Sequence, residues 1–353
     1  MLLAPDERVP PEPGRAGGLR HGEGDLRCDR DPHLGDGLWH GTDCNAPPGG
    51  DHRRPHPGRR PVTDGSPGPP RIANVNWLQF DSLVNARDVG GTPTTDGGEI
   101  RPGRLLRSDN LQDLTTADVD QLLALGLTDV VDLRSAYEVH HTGAGPLVGD
   151  DRVRLHHYSF IPERYDAADS DDLDDVLPDN TERNGARRDT AGKELPGDAL
   201  PFQGKKPSIQ VDDAYASTYL SFLAERPESV IGALRVIANA EGATLVHCAA
   251  GKDRTGTAVA LALLLAGAEE EAVIADYAAS SERMELIIDR LLGSETYRAN
   301  LSGRSLDSHM TRPETMRAFL AYATREHGGI EPMLNTLGWR EEDTRAMRAK
   351  LRD

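Results

Sequence analysis

The 353-residue chain has little of three things, and each shortage removes a class of protein. It holds only three cysteines, Cys28, Cys44 and Cys248. Three thiols do not make a disulfide framework, so a reducing compartment is expected, and the cytoplasm with it, leaderless export being left open. Long apolar runs are missing as well. The most hydrophobic stretch, residues 258–266, is far shorter than the ~20 residues that cross a bilayer, and Pro, Asp, Glu and Arg interrupt the first thirteen residues before a leader-like run can build. Neither a secretory leader nor a stable membrane insertion is expected. Basic charge is the third shortage: 40 Lys and Arg stand against 58 Asp and Glu, for a formal net charge of −18. A nucleic-acid partner calls for a basic face that neutralises phosphates, and none is visible.

Glycine and proline, by contrast, are concentrated at one end. Residues 1–70 hold 13 of the 24 prolines and 13 of the 36 glycines but only eight Leu, Ile, Val or Phe. That is too little apolar surface to offset the entropy of ordering, so a disordered extension is expected there. Cys28, His33, His40 and Cys44 within it invite a zinc reading. Their spacing matches no usual ligand pair and no strand or helix pattern frames them, so no metal is expected. Residues 71–353 suffice for one domain with one buried core. Within them residues 163–198 carry 12 acidic and 5 basic residues and no apolar period, which reads as a surface insertion over 163–213.

Apolar periodicity places the elements. Residues 99–106 read as extended, 115–125 as a helix capped by Thr115, 128–133 as a buried strand and 153–160 as another. Residues 214–223 and 229–240 repeat apolar residues at helical spacing, 244–248 is a strand, and 277–292 reads as one amphipathic helix. Strands alternating with helices imply an α/β fold, a mainly parallel sheet flanked by helices on both faces.

The chemistry lies in His247-Cys248-Ala249-Ala250-Gly251-Lys252-Asp253-Arg254-Thr255-Gly256, between an apolar strand and an Ala/Leu-rich helix. A turn from strand into helix leaves backbone N–H groups aimed at one spot, with the positive end of the helix dipole behind them. That spot suits an anion, and the same field favours Cys248 as the thiolate that attacks. Ala249, Ala250, Gly251, Lys252, Asp253 and Arg254 would bind the phosphate. The Arg254 fork can clamp two phosphoryl oxygens, Thr255 can donate to the sulfur, and a carboxyl must protonate the leaving oxygen. Two candidates for that carboxyl exist: Asp253, preferred, and Asp132, at the carboxyl end of the 128–133 strand and so at the same sheet edge.

The loop resembles that of the cysteine-dependent phosphatases. Three further stretches, Asn85-Ala86-Arg87-Asp88-Val89-Gly90-Gly91, Arg107-Ser108-Asp109, and Asp132-Leu133-Arg134-Ser135 with Glu138, resemble their atypical bacterial branch, the tyrosine/serine protein phosphatases, which includes a mycobacterial type B enzyme. A looser fourth stretch runs from Glu326-His327-Gly328-Gly329 through Leu337-Gly338. The resemblance, over about residues 74–353, implies a phosphatase fold with a helical C-terminal part, a lid near residues 277–312, and the Asn85–Gly91 turn beside the active site. It also implies a metal- and cofactor-free phosphomonoesterase. Its substrate would be a phosphorylated protein, phosphotyrosine first and dual specificity second, or a phosphoinositide. Lys252, a point charge inside the loop, keeps the phosphoinositide in view. The reading from another class, a silent phosphate-binding module, is disfavoured because Cys248, Arg254 and a candidate acid are all present.

Overall fold

The computed structural model describes residues 75–162, 182–183 and 206–353. The Gly/Pro-rich extension, its Cys/His cluster and most of the acidic insertion lie outside the described residues. In chain order the elements are β1 (Asn76–Trp77), β2 (Arg87–Asp88), β3 (Leu105–Ser108), α1 (Thr116–Ala124), β4 (Leu127–Asp132), α2 (Ala136–Thr142), β5 (Arg154–His157), β6 (Glu182–Arg183), α3 (Ala214–Glu225), α4 (Pro227–Asn239), β7 (Ala243–His247), α5 (Asp253–Leu265), α6 (Glu270–Ala279), α7 (Met284–Gly293), α8 (Glu295–Leu301), α9 (Pro313–His327), α10 (Ile330–Asn335) and α11 (Glu341–Arg352). Single 3₁₀ turns occupy Ser280–Arg283 and Leu306–His309.

The strands form one sheet in the order β1-β2-β3-β7-β4-β5-β6. Pairing is parallel from β3 onward and antiparallel only at β1/β2 and β2/β3. Because side chains alternate across a strand, each central strand feeds two cores. Leu105, Val131 and Val246 join a cluster with α3, α4, α5 and the C-terminal helices. Leu106, Val130 and Leu245 face the other way, toward Leu122 of α1 and the loop residues Leu83, Leu111, Leu114 and Leu147. Helix α5 is buried almost all round, as its unbroken Ala/Leu sequence requires.

Two short helices start where their side chains satisfy orphan amides. Thr115 caps α1 and Ser135 caps α2, each in a reciprocal box with the third helical residue, Asp118 and Glu138. The regular elements differ from their sequence spacing in two places. The extended reading of 99–106 reduces to a strand that begins at Leu105, because a turn fills 102–104. The single helix read over 277–292 is broken at Ser280 and Ser281, whose hydroxyls bond outward to Asn85, Arg87 and Thr311. A polar pair of this kind interrupts the helix, and a 3₁₀ turn separates α6 from α7.

β7 lies between β3 and β4, and the register sets Ser108, His247 and Asp132 side by side at its carboxyl end. Everything that leaves those three strands therefore converges on one edge of the sheet.

Candidate active site

The loop from Cys248 to Lys252 is held by its carbonyls from outside. Asn110 N–H donates to Ala249 O at 3.2 Å, Asn85 Nδ2 to Ala250 O at 2.9 Å, and Arg107 Nη2 to Gly251 O at 2.8 Å. With the carbonyls drawn outward, the amides turn the other way. Among the described residues the N–H groups of Ala249, Ala250, Gly251 and Lys252 find no acceptor, and the N-terminus of α5 follows directly. Gly251 allows the turn: its φ is +67°, and a Cβ there would sit 2.4 Å from Ser108 O.

The donors are fixed in turn. Arg87 and Arg107, both fully buried, share the carboxylate of Asp276 on α6 at 2.8 and 2.5 Å. Burial and the adjacent Arg107 charge bring the Arg87 guanidinium down to about 10, despite Asp276. Two cations on one anion leave a net positive charge behind the loop. Arg87 also holds Asn85 Oδ1 at 2.7 Å, which orients the amide that reaches Ala250.

Cys248 is a free, buried thiol, 2% exposed. Arg254 is the second residue of α5 and is clamped by Glu138 of α2 at 2.5 and 2.9 Å, with a further bond to Leu133 O at 3.3 Å. Glu138 thus serves two ends at once, the cap of its own helix and the guanidinium. Asp253 accepts from Tyr219 Oη of α3 at 2.6 Å through Oδ1, and Tyr277 Oη of α6 lies 2.9 Å from Tyr219 Oη. Both phenols are pushed above their ordinary range by burial first and by the Asp253 charge second.

Three residues of the loop region are placed otherwise than the motif alone suggests. Asp132 is locked by Arg134, which donates through Nε at 2.9 Å, Nη2 at 2.6 Å and its backbone N–H at 2.9 Å. Burial would raise its carboxyl, but the Arg134 charge outweighs that and holds it well below the usual carboxylate range. Thr255 Oγ1 is buried without a hydrogen-bond partner, so no bond to the Cys248 sulfur is formed. Lys252 Nζ donates to His309 O at 2.5 Å and lies 5.3 Å over the Tyr215 ring. Its charge is directed at the covering turn rather than into the loop. His247 sits 3.6 Å from Asp132, and burial brings its imidazole down to about 4 against that attraction.

The segment from α7 to the turn at Leu306–His309 closes over this edge. Ile287 and Leu291 of α7 with Tyr297 and Leu301 of α8 pack on Ala249 and Ala250.

A family model described as the tyrosine phosphatase family matches residues 78–353. The chain belongs to that family. Among its relatives is the triple specificity protein phosphatase PtpB of Mycobacterium tuberculosis, 35% identical over 214 residues that cover 59% of this chain and 70% of the relative. A tyrosine-protein phosphatase of Nostoc commune is 26% identical over 266 residues, 74% of this chain and 78% of the relative. As a tyrosine phosphatase family member the chain is a phosphoric monoester hydrolase, and all four stretches quoted from its sequence fall within the matched span. Three residues that support the candidate site carried no visible signal. Asp276, Tyr219 and Tyr277 occur in ordinary helical sequence and reach the loop only through the fold.

Proposed function

We propose that this phosphatase cleaves phosphomonoesters, phosphotyrosine in proteins foremost, through a covalent phosphocysteine on Cys248. The observation that supports this most is the loop in which every carbonyl from Ala249 to Gly251 is engaged from outside while its amides have no acceptor. Such a ring of donors suits the equatorial oxygens of a phosphoryl group, whose charge grows and redistributes at the transition state. The amides of residues 249 to 254 and the Arg254 fork take those oxygens. Glu138 keeps the fork in place, so little reorganisation remains when substrate arrives.

In the first step the Cys248 thiolate attacks phosphorus and the ester P–O bond breaks. Asp253 gives its proton to the departing oxygen. In the second step water attacks phosphorus, Asp253 takes a proton from it, the P–S bond breaks, and thiolate and inorganic phosphate result. Asp253 is preferred over Asp132 because Asp132, committed to Arg134 and held ionised, has no proton to give near neutral pH. The buried, unpartnered Thr255 hydroxyl is the free donor available to the departing sulfur. No step calls for a metal ion.

Hydrolysis of p-nitrophenyl phosphate in EDTA tests the reading. Turnover is expected for the wild-type chain and its loss, by more than a thousandfold, for Cys248→Ser. Unchanged turnover in the serine variant overturns the phosphocysteine.

A relative named for triple specificity supports a second substrate class, multiply phosphorylated headgroups such as phosphoinositides, although Lys252 turns its charge to His309 O and adds nothing to that reading. Rates on a phosphotyrosine peptide, a phosphoserine peptide and a soluble phosphoinositide rank the three. The α7 to His309 segment is read as a cover that shelters the thiolate, and Lys252 holding His309 O as one of its ties. No described helix is long and apolar enough to cross a membrane. A thiolate nucleophile needs reducing surroundings, which supports a cytoplasmic place of action.

A further inference from the structure

The hydrogen bond from Tyr219 to Asp253 spans 34 residues and joins α3 to the first residue of α5. Its geometry is one-sided. Oδ1 of Asp253 takes the Tyr219 hydroxyl at 2.6 Å and is also the oxygen nearer Lys252, 3.8 Å away. Oδ2 accepts nothing from the described residues. Tyr277 stands behind Tyr219, hydroxyl to hydroxyl at 2.9 Å, with the two rings edge to face at 6.1 Å between centroids. Both side chains are about 98% or more buried, so neither hydroxyl is shared with bulk water. A buried phenol with one carboxylate and one phenol in reach has only one complete arrangement: Tyr277 donates to Tyr219, and Tyr219 donates to Asp253.

The loop motif makes room for this pair. A Cβ on Gly256 would lie 3.0 Å from Cδ2 of Tyr277, closer than ordinary contact, so the last glycine of the motif is what admits the Tyr277 ring beside α5. Glycine at 256 is therefore tied to the tyrosine pair as well as to the loop.

We infer that Tyr219, backed by Tyr277, is a positioning residue that fixes the Asp253 carboxyl so that its proton sits on Oδ2, the oxygen free to meet the leaving group. The inference rests on the reading of Asp253 as the proton donor. With Oδ1 engaged as acceptor, the acid's proton is favoured on Oδ2, because a protonated Oδ1 would accept the Tyr219 bond more weakly. When the ester bond breaks, that proton passes to the departing oxygen, and the carboxylate left behind keeps its bond from Tyr219. The bland alternative is that the pair merely fastens α3 and α6 to α5.

The two roles separate by leaving group, because p-nitrophenolate departs without a proton whereas phenolate and alkoxide do not. For Tyr219→Phe in the full chain, kcat/KM on phenyl phosphate, which reports only the steps up to release of the leaving group, is expected to fall about 10- to 100-fold, part of the 10²–10⁴ that a positioned acid contributes. On p-nitrophenyl phosphate the loss in kcat/KM is expected to stay within about threefold, with the melting temperature little changed. Tyr277→Phe moves the same way by less. In an Asp253→Asn background the Tyr219→Phe effect should vanish, since nothing remains to be positioned. Equal losses on both substrates for Tyr219→Phe, or an undiminished effect in the Asp253→Asn background, overturn the positioning role while leaving Asp253 as the acid. If Asp253→Asn itself loses kcat/KM equally on both substrates, the acid assignment fails and this inference fails with it.

Discussion

Arg254 and Glu138 are both buried to within 1% of complete, and they neutralise each other. A buried pair of this kind contributes modestly as a unit but is costly to halve, about 3–5 kcal/mol when one partner is removed. Glu138→Ala should therefore lower stability by about that amount in urea unfolding and reduce turnover at least tenfold, because the guanidinium is then free to turn from the loop. Glu138→Gln keeps the acceptor oxygen and should lose less of both. His247 gives a second residue-scale expectation, this one in pH. Its folded imidazole titrates at about 4, below the ordinary 6.5. Between those values the unfolded chain binds a proton that the folded chain refuses, so stability falls as pH drops from about 6.5 to about 4, by roughly 3 kcal/mol, and is unaffected by His247 above that window. Asp132 acts in a lower window: its depressed carboxyl stabilises above the unfolded value near 3.9, and that stability is lost only in stronger acid. Unfolding free energies at pH 7.0 and 4.5 for the wild type and His247→Asn check the first window. The difference between the two pH values should shrink in the variant.

Among the elements, the strand-loop-helix unit depends most on one backbone position. Gly251→Ala must hold a positive φ and place its Cβ 2.4 Å from the Ser108 carbonyl, a contact with backbone that no rotamer relieves. Turnover on p-nitrophenyl phosphate should fall by more than 100-fold, because the amides of 250 to 252 shift together, and the melting temperature should fall as well. Signals of this kind were legible beforehand. The cap at Thr115, the buried strand ending at Asp132, the α3 and α4 stripes and the loop itself all appear as local pattern, since each is set by neighbours within a few residues. What was not legible is set at long range. Arg87 meets Asp276 across 189 residues, and Tyr277 meets Tyr219 across 58. Asp132 illustrates the same limit from the other side: its place at the sheet edge follows from the strand pattern, but its capture by Arg134 depends on how the chain leaves β4. The break at Ser280 was hidden because helical spacing continues through it, and only the partners Asn85 and Arg87 explain the turn.

Across the whole molecule, the sheet delivers its chemistry to one edge because β7 lies between β3 and β4, and the small antiparallel corner at β1 and β2 supports that edge from the side. Trp77 of β1 lies beneath Arg87 at 5.0 Å and Arg283 at 4.7 Å, so the first described strand touches the cation that orients Asn85 and binds Asp276. The family match begins at residue 78, close to this point. The composition of residues 1–70 offers no core of its own, and these two facts together set where the chain can be shortened. A chain of residues 71–353 should keep kcat and KM on p-nitrophenyl phosphate within about twofold of the full chain, with a melting temperature changed by less than about 2 °C, since no apolar surface worth counting is removed. A chain of residues 80–353 loses Trp77 and the β1 pairing, and Arg87 with them loses the aromatic face that shields it. Turnover should then fall several-fold with a lower melting temperature, and the loss should be shared by Trp77→Ala in the full-length chain. Steady-state rates and thermal melts on these three proteins decide the matter: a large loss already at residue 71 would mean that the Gly/Pro-rich extension takes part in catalysis, and no loss at residue 80 would remove β1 from the support of the site.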